Sequence, residues 1–176
     1  MRVRVDIYLR TDRLALRRFT EADADLLDEL HNDPEVMRFL NGGKPTPREE
    51  IVGKTLPRFV AEGFYAAFDG ATFIGWFHLR GPVEEPELGY RLHRAAWGKG
   101  YATEGSLALI DRAFALGARR VYAQTMTVNT GSRRVMEKCG MRFVRTFFED
   151  WPDLIDGSDQ GEVEYELLRA DWEARS

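Results

Sequence analysis

Between Arg10 and Thr20 the apolar residues Leu14 and Leu16 alternate with polar ones, and Phe19 closes the run. A period of two predicts a first strand there. Leu26, Leu27, Leu30 and Val36 then recur at helical spacing, and Pro34 divides that segment into two short helical pieces. Thr20 is expected to cap the first piece. Asp23, three positions on, stands where a capping box usually carries Glu or Gln. Asn41 to Pro47 is rich in turn formers and reads as loop. Pro47 suits a first helical position, and the helix it starts runs through Ile51, Thr55, Phe59 and Val60, bent or broken at Pro57.

Further on, Phe64 to Phe68 and Ala71 to Leu79 flank Asp69-Gly70, which predicts a β-hairpin. Trp76 and His78 then share one face, Phe77 and Leu79 the other. A loop at 81–86 leads into a strand from Glu87 to His93. The glycine-rich Trp97-Gly98-Lys99-Gly100-Tyr101-Ala102-Thr103-Glu104 runs straight into a helix marked by Leu107, Ile110 and Phe114. Arg120 to Val128 is a β-branched strand. Asn129-Thr130-Gly131-Ser132 opens a second helix that Gly140 stops, and strands follow at Met141 to Phe147 and Val163 to Leu168. Hairpins dominate the first half, and strand and helix alternate in the second. The expected class is therefore α/β (α+β mixed), with a central twisted mixed sheet of about seven strands flanked by about four helices. No repeat or linker divides residues 1–176, so one domain is expected.

Composition narrows this picture in a few places. A chain of 176 residues can bury about 70% of its unfolded surface and needs no staple. The single cysteine, Cys139, excludes an internal disulfide and a cysteine-rich zinc site, and His31, His78 and His93 lack metal-motif spacing. No metal is expected. A net charge of −4 argues against broad nucleic-acid binding, and no apolar run reaches the length of a membrane helix. Met1 to Asp6 does not read as a signal peptide, so the cytoplasm is the expected compartment. Exposed hairpin edges make a homodimer an expectation too.

The chemistry centres on the strand, Gly98-Lys99-Gly100 turn and helix. The first N–H groups of a helix have no partners within it, and the helix dipole adds positive charge there. Glycines let an anion approach the backbone, and Lys99 adds a cation. A short Gly-x-Gly alone often does no more than join a strand to a helix. It also lacks the third glycine of the dinucleotide fingerprint and the Gly-Lys-Ser/Thr end of a Walker motif.

Three stretches in order carry a resemblance: Glu87-Leu88-Gly89-Tyr90-Arg91-Leu92, then Trp97 to Glu104, then Val128-Asn129-Thr130-Gly131-Ser132 through Cys139-Gly140-Met141. Arg13 to Arg17 and Asn32 to Met37 add to it. With these motifs the chain resembles the GNAT superfamily of N-acetyltransferases over nearly its whole length. It is most similar to the branch containing the ribosomal-protein N-terminal (alanine/serine) acetyltransferases. The resemblance implies acetyl-CoA as co-substrate and a primary amine as acceptor, either a small molecule or a protein N-terminus. It implies a pyrophosphate site at Gly98, Lys99, Gly100, Tyr101, Ala102 and Thr103. The backbone near Leu92 would pair with the pantetheine arm, His93 lies next to the cradle, and Asn129 and Ser132 fall on the cofactor side. Helix capping is an equally natural use of Asn129 and Ser132. Glu87 stands where family members carry a catalytic glutamate; with a raised pKa it could accept a proton, and otherwise it only lines the pocket.

The chain departs from the family pattern at Met136, where many members place a tyrosine acid, and at Gln124, where others place a glutamate. Trp97 replaces the usual Gln or Arg. Tyr90, Tyr122 or water are left as proton donors to the leaving thiolate. Arg133, Arg134 and Lys138 either approach the 3′-phosphate or form a solvated face. Seven acids between Glu149 and Glu164, with no Lys or Arg among them, either attract a cationic acceptor or only solvate a loop. The rival readings are a non-catalytic CoA-binding regulatory module and an unrelated phosphate-ligand protein.

Overall fold

The structure is a computed structural model that describes residues 6–150 and 155–175. The start of the expected leader-free terminus and the residues Pro152 and Asp153 of the acidic stretch lie outside the described residues. One eight-stranded sheet runs through the molecule in the order β1-β2-β3-β4-β5-β6-β8-β7. Its strands are β1 (Ile7–Arg10), β2 (Ala15–Arg18), β3 (Phe64–Asp69), β4 (Thr72–Arg80), β5 (Glu87–Leu92), β6 (Arg120–Met126), β7 (Arg142–Phe147) and β8 (Glu162–Leu168). Every neighbour pair is antiparallel except β5 and β6.

The strand expected from Arg10 to Thr20 is the shorter β2, and β1, which was not expected, pairs with it from the N-terminal side. Thr11 N–H donates to the Leu14 carbonyl at 2.9 Å, closing a turn between β1 and β2 that contains no Gly, Pro or Asn to announce it. The hairpin at Asp69-Gly70 forms as expected, with Asp69 opposite Thr72. A bulge between Ala67 and Phe68 turns Ile74 to the same face as Phe77, while Trp76 points to the other.

Two cores cover the two faces. Leu16, Phe77, Leu88, Leu109, Ile110, Phe114 and Val121 pack beneath α5 (Tyr101–Ala115) and α6 (Thr130–Lys138). Phe19, Leu27, Leu30, Ile51, Phe59 and Trp76 pack beneath α1 (Ala24–His31), α3 (Arg48–Glu50) and α4 (Leu56–Ala61). Two short helices, α2 (Arg38–Asn41) and α7 (Arg169–Glu173), complete the helical set. Each of these cores draws on residues whose period placed them on one face.

Two local expectations change. Pro57 does not break the helix that Pro47 begins. Instead Ile51–Thr55 forms a π turn, in which Leu56 N–H reaches back five residues to the Ile51 carbonyl. The wider turn leaves room for a ring that would otherwise press on the carbonyl four residues before it. The expected cap is displaced: α1 starts at Ala24 with Asp23, not Thr20, in the N-cap position. Asp23 accepts from the Thr20 N–H at 2.8 Å, but the Thr20 hydroxyl does not return to the helix, and Asp23 also takes both guanidinium nitrogens of Arg17 at 2.7 and 2.9 Å. No helix among the described residues is long and apolar enough to cross a membrane.

Candidate active site

The parallel pair β5 and β6 meets at a single register pair, Glu87 with Tyr122, where Tyr122 N–H donates to the Pro86 carbonyl at 3.2 Å. Beyond it the strands part, and a cleft of about 670 Å³ opens between them. Its walls are the backbone of β5, the Gly98–Gly100 turn, the end of β6 and the first turn of α6, and the segment holding Glu35, Val36 and Phe39 closes one end.

Strand alternation decides which backbone groups look into that gap. His93 N–H donates to the Ile74 carbonyl at 2.9 Å, which makes Leu92 and Gly75 a non-hydrogen-bonded pair of the β4–β5 ladder. The N–H groups of Leu92 and, two residues earlier, Tyr90 therefore face away from β4 and into the cleft. The Leu92 carbonyl accepts from Trp97 Nε1 at 2.9 Å. This bond ties the end of the strand to the start of the glycine turn.

Gly100 caps α5 with φ +81°, and Gly98 has φ +71°. Both lie in the left-handed region, where only glycine is unstrained. Glu104 N–H is the first to bond back, to the Gly100 carbonyl at 3.0 Å. The N–H groups of Tyr101, Ala102 and Thr103 precede it at the cleft, where the helix dipole is positive. The turn is braced from outside. Arg13 Nη1 donates to the Lys99 carbonyl at 2.8 Å, and its Nε donates to Glu104 at 2.8 Å. Glu104 also accepts from the Arg13 N–H and the Thr11 hydroxyl, and the Tyr101 hydroxyl donates to Asp69 on the hairpin.

Asn129 caps α6 by accepting from the Ser132 N–H at 3.2 Å, and both residues line the cleft. Capping and cleft lining therefore coincide. Two further expected residues do not contribute to the lining. The His93 ring packs edge-on against Phe73, and neither His93 nor Lys99 lines the cleft, although Lys99 keeps its place in the turn.

Glu87 lies half-buried where the cleft meets a shallower depression lined by Glu62, Arg80 and Tyr122. His78 Nε2 is 3.5 Å from its carboxylate and Arg80 Nη2 is 3.8 Å away. The expected raised pKa is not found. His78 first, then Arg80 and Tyr122, hold Glu87 below the usual carboxylate range against the opposing effect of burial. Burial in turn pushes His78 below its ordinary value, opposed by Glu87. At 3.5 Å the contact is too long to be a strong hydrogen bond. We take Glu87 as ionised at neutral pH and His78 as neutral. The His78 ring lies across Gly89, where an added Cβ would come within 2.2 Å of Nε2.

The departures at positions 124 and 136 are physical. Gln124 donates to Glu164 at 2.9 Å, and Met136 is buried in the core. The Tyr90 phenol lies in the cleft beside Ser132, pushed above its ordinary pKa by burial, and so keeps its proton at neutral pH. Arg134 and Lys138 line the cleft. Arg133 instead donates to the Tyr165 hydroxyl and the Thr127 carbonyl, both at 3.1 Å. Cys139 is fully buried, and burial pushes its thiol up to about 11, which suits a core residue. The acidic stretch is not one surface. Glu164 is buried and paired with Arg120 and Arg145, whereas Glu162 lines the cleft and is raised to about 7 by burial and then by Glu149. Among the described residues, no group of three or more His, Cys, Asp or Glu side chains is arranged to hold a metal. No expectation placed Arg91, His31 or Trp76 at this site, yet Arg91 and Trp76 line the cleft and both meet His31, a buried residue beside them. The one available signal was Arg91's place on the Glu87 face of β5.

Residues 13–142 match the Acetyltransferase (GNAT) domain family. The FsC-acetyl coenzyme A-N(2)-transacetylase of Aspergillus fumigatus is 33% identical across 98% of this chain and 80% of its own length. Two solved structures share the fold. A spermidine N-acetyltransferase from Vibrio cholerae in complex with CoA and spermine has a TM-score of 0.78 at 18% identity, over 92% of this chain and 99% of that one. RimL, a ribosomal L7/L12 alpha-N-protein acetyltransferase in complex with coenzyme A, has a TM-score of 0.77 at 19% identity, over 94% and 99%. A parted β5–β6 pair, a helix N-terminus at its mouth and this match over most of the chain lead to one conclusion: the protein is a member of the GNAT acetyltransferase family.

Proposed function

We propose that the protein is an acetyl-CoA-dependent N-acetyltransferase that moves an acetyl group to a primary amine by direct attack on the thioester. The observation that carries this reading is a single cleft with three helix N–H groups at one end and an ionised Glu87 at the other. The N–H groups of Tyr101, Ala102 and Thr103, with the Gly98–Gly100 turn, suit a pyrophosphate. The N–H groups of Tyr90 and Leu92 suit the amide-bearing pantetheine arm, which can lie against β5 in place of the missing strand. Arg134 and Lys138 are the cations available to the remaining phosphate. When bound, acetyl-CoA supplies the activated acetyl group.

Glu87 takes the proton that the amine nitrogen loses as its bond to the acetyl carbon forms, directly or through water. Tyr90 can donate a proton to the sulfur as the C–S bond breaks, since its phenol is protonated and lies in the cleft. An amine acceptor agrees with the N(2)-transacetylase named among the relatives and the spermine-bound fold neighbour. The RimL likeness keeps a protein N-terminus among the acceptor types. A single cysteine, left unpaired, suits a reducing compartment such as the cytoplasm, and a homodimer would draw on the sheet edges at β1 and β7.

Thiol release from acetyl-CoA over polyamines, aminoglycosides, amino acids and short peptides tests the reading, each beside a Glu87→Gln variant. Release with one acceptor class, lost in the variant, supports both the enzyme and the base. CoA binding with no release from any acceptor supports the regulatory module instead, the reading favoured by a buried Met136 and a Gln124 occupied with Glu164.

A further inference from the structure

Arg91 shares a face of β5 with Glu87, four residues on, which places their Cα atoms roughly 13 Å apart along the strand. Its guanidinium lies 4.9 Å over the Trp76 ring. Arg91 Nη1 stands 3.0 Å from His31 Nε2, and Trp76 Nε1 donates to the same nitrogen at 3.1 Å. A neutral imidazole has one lone pair there, so the two donors share it. His31 is neutral because burial, and then Arg91, push it down to about 3. It therefore offers an acceptor but no negative charge. Arg91 Nε is buried with no hydrogen-bond partner.

Among the described residues no carboxylate pairs with Arg91, and the charge that acts on it is a like one, Arg58. Burial lowers the guanidinium to about 10, which still leaves it charged at neutral pH. A buried cation with unused donors and no counter-ion is costly, and folds retain such groups only where something offsets the cost. Stacking on Trp76 offsets part of it. Arg91, Trp76 and His31 come from three separate elements, and Arg91 and Trp76 line the same cleft as Glu87, Glu35 and Phe39. The guanidinium fork matches a carboxylate in two parallel hydrogen bonds.

We propose that Arg91 anchors a carboxylate of the acceptor, so that the substrate class is an amino acid-like molecule with its amine at Glu87 and its carboxylate at Arg91. This rests on the acetyltransferase reading and narrows it. Simple polyamines, which carry no anion, then make poor acceptors.

The test is calorimetric binding to the CoA-loaded protein of glycine, β-alanine, 4-aminobutyrate and 6-aminohexanoate, each beside its amide. At least one acid is expected to bind roughly 10- to 100-fold tighter than its amide, the range for hydrogen bonds to charged groups. The chain length that shows it reports the amine-to-carboxylate spacing. Arg91→Gln should bring acid and amide to within about twofold, and Arg91→Lys, which keeps the charge but loses the fork, should retain part of the preference. Acids and amides binding alike in the unaltered protein, a preference that survives Arg91→Gln, or no binding of any acid would each overturn the proposal. If Arg91→Gln does not fold, Arg91→Lys decides the matter, since a preference it leaves unchanged would overturn the proposal. Thiol release measured in parallel separates the two readings. Tight acid binding without release would keep the anchor and remove the transferase. Release from amides as fast as from acids would keep the transferase and remove the anchor.

Discussion

Glu87 and Tyr122 are the one residue pair that joins β5 to β6, and the cleft begins where their pairing ends. The strand that carries the proposed base is thus anchored at that residue and unpaired toward β6 beyond it. A carboxylate held at the last closed rung has a fixed backbone and an open neighbour, which suits a group that must meet a substrate in one orientation.

Replacing Glu87 with Gln is expected to lower kcat by about 10²- to 10⁴-fold, the usual worth of a positioned general base. Because His78 holds Glu87 below the ordinary carboxylate range, the unaltered enzyme should lose activity only on the acid side of that range. The variant should lack this acid limb. A pH–rate profile of thiol release reads both.

Arg13 and Glu104 brace the glycine turn across 91 residues of chain. Glu104→Ala removes the acceptor for Thr11 and Arg13 together. The expected result is CoA binding weakened roughly tenfold, since a helix N-terminus binds an anion well only when it is held in place. Titration with CoA, with and without the substitution, measures it.

Gly89→Ala places a methyl group against the His78 ring. Overpacking of this kind costs about 1–3 kcal/mol, to be read from denaturant unfolding. Combining it with His78→Ala should recover much of the loss. Additive costs in the double variant would show that the two residues do not meet.

His31 folds with its pKa near 3 against an ordinary 6.5. Below about 6.5 the unfolded chain takes up a proton that the folded one refuses, so stability rises with pH between these values and levels off above them. Between pH 7 and pH 4 this group should account for ~3 kcal/mol of lost stability. Glu162, raised to about 7, acts with the opposite sign, its folded form holding the extra proton between about 4.5 and 7. The His31 contribution is therefore read as the difference in slope between the unaltered protein and His31→Gln.

Much of this molecule is written locally. The hairpin at Asp69-Gly70, the strand at Glu87, the helix after Gly100 and the Asn129 cap all rest on residues within a few positions of each other, and sequence periodicity and turn chemistry suffice for them. The family motifs share that property, so the fold and the glycine-turn end of the cleft were legible. The first hairpin was not, because Asp12 is the one turn former in its Thr11-Asp12-Arg13 turn and no Gly or Pro stands beside it. Nor was the π turn, which depends on how Pro57 is accommodated once the helix packs. The pKa of Glu87 was expected to rise and instead falls because its partner arrives from β4. Arg91, 60 residues from His31 in sequence, has no local mark of its setting. A single chain segment can state its own period and its own turns. Which charges are buried, and which find a counter-ion, is decided only when distant segments pack, because desolvation and pairing depend on every neighbour at once.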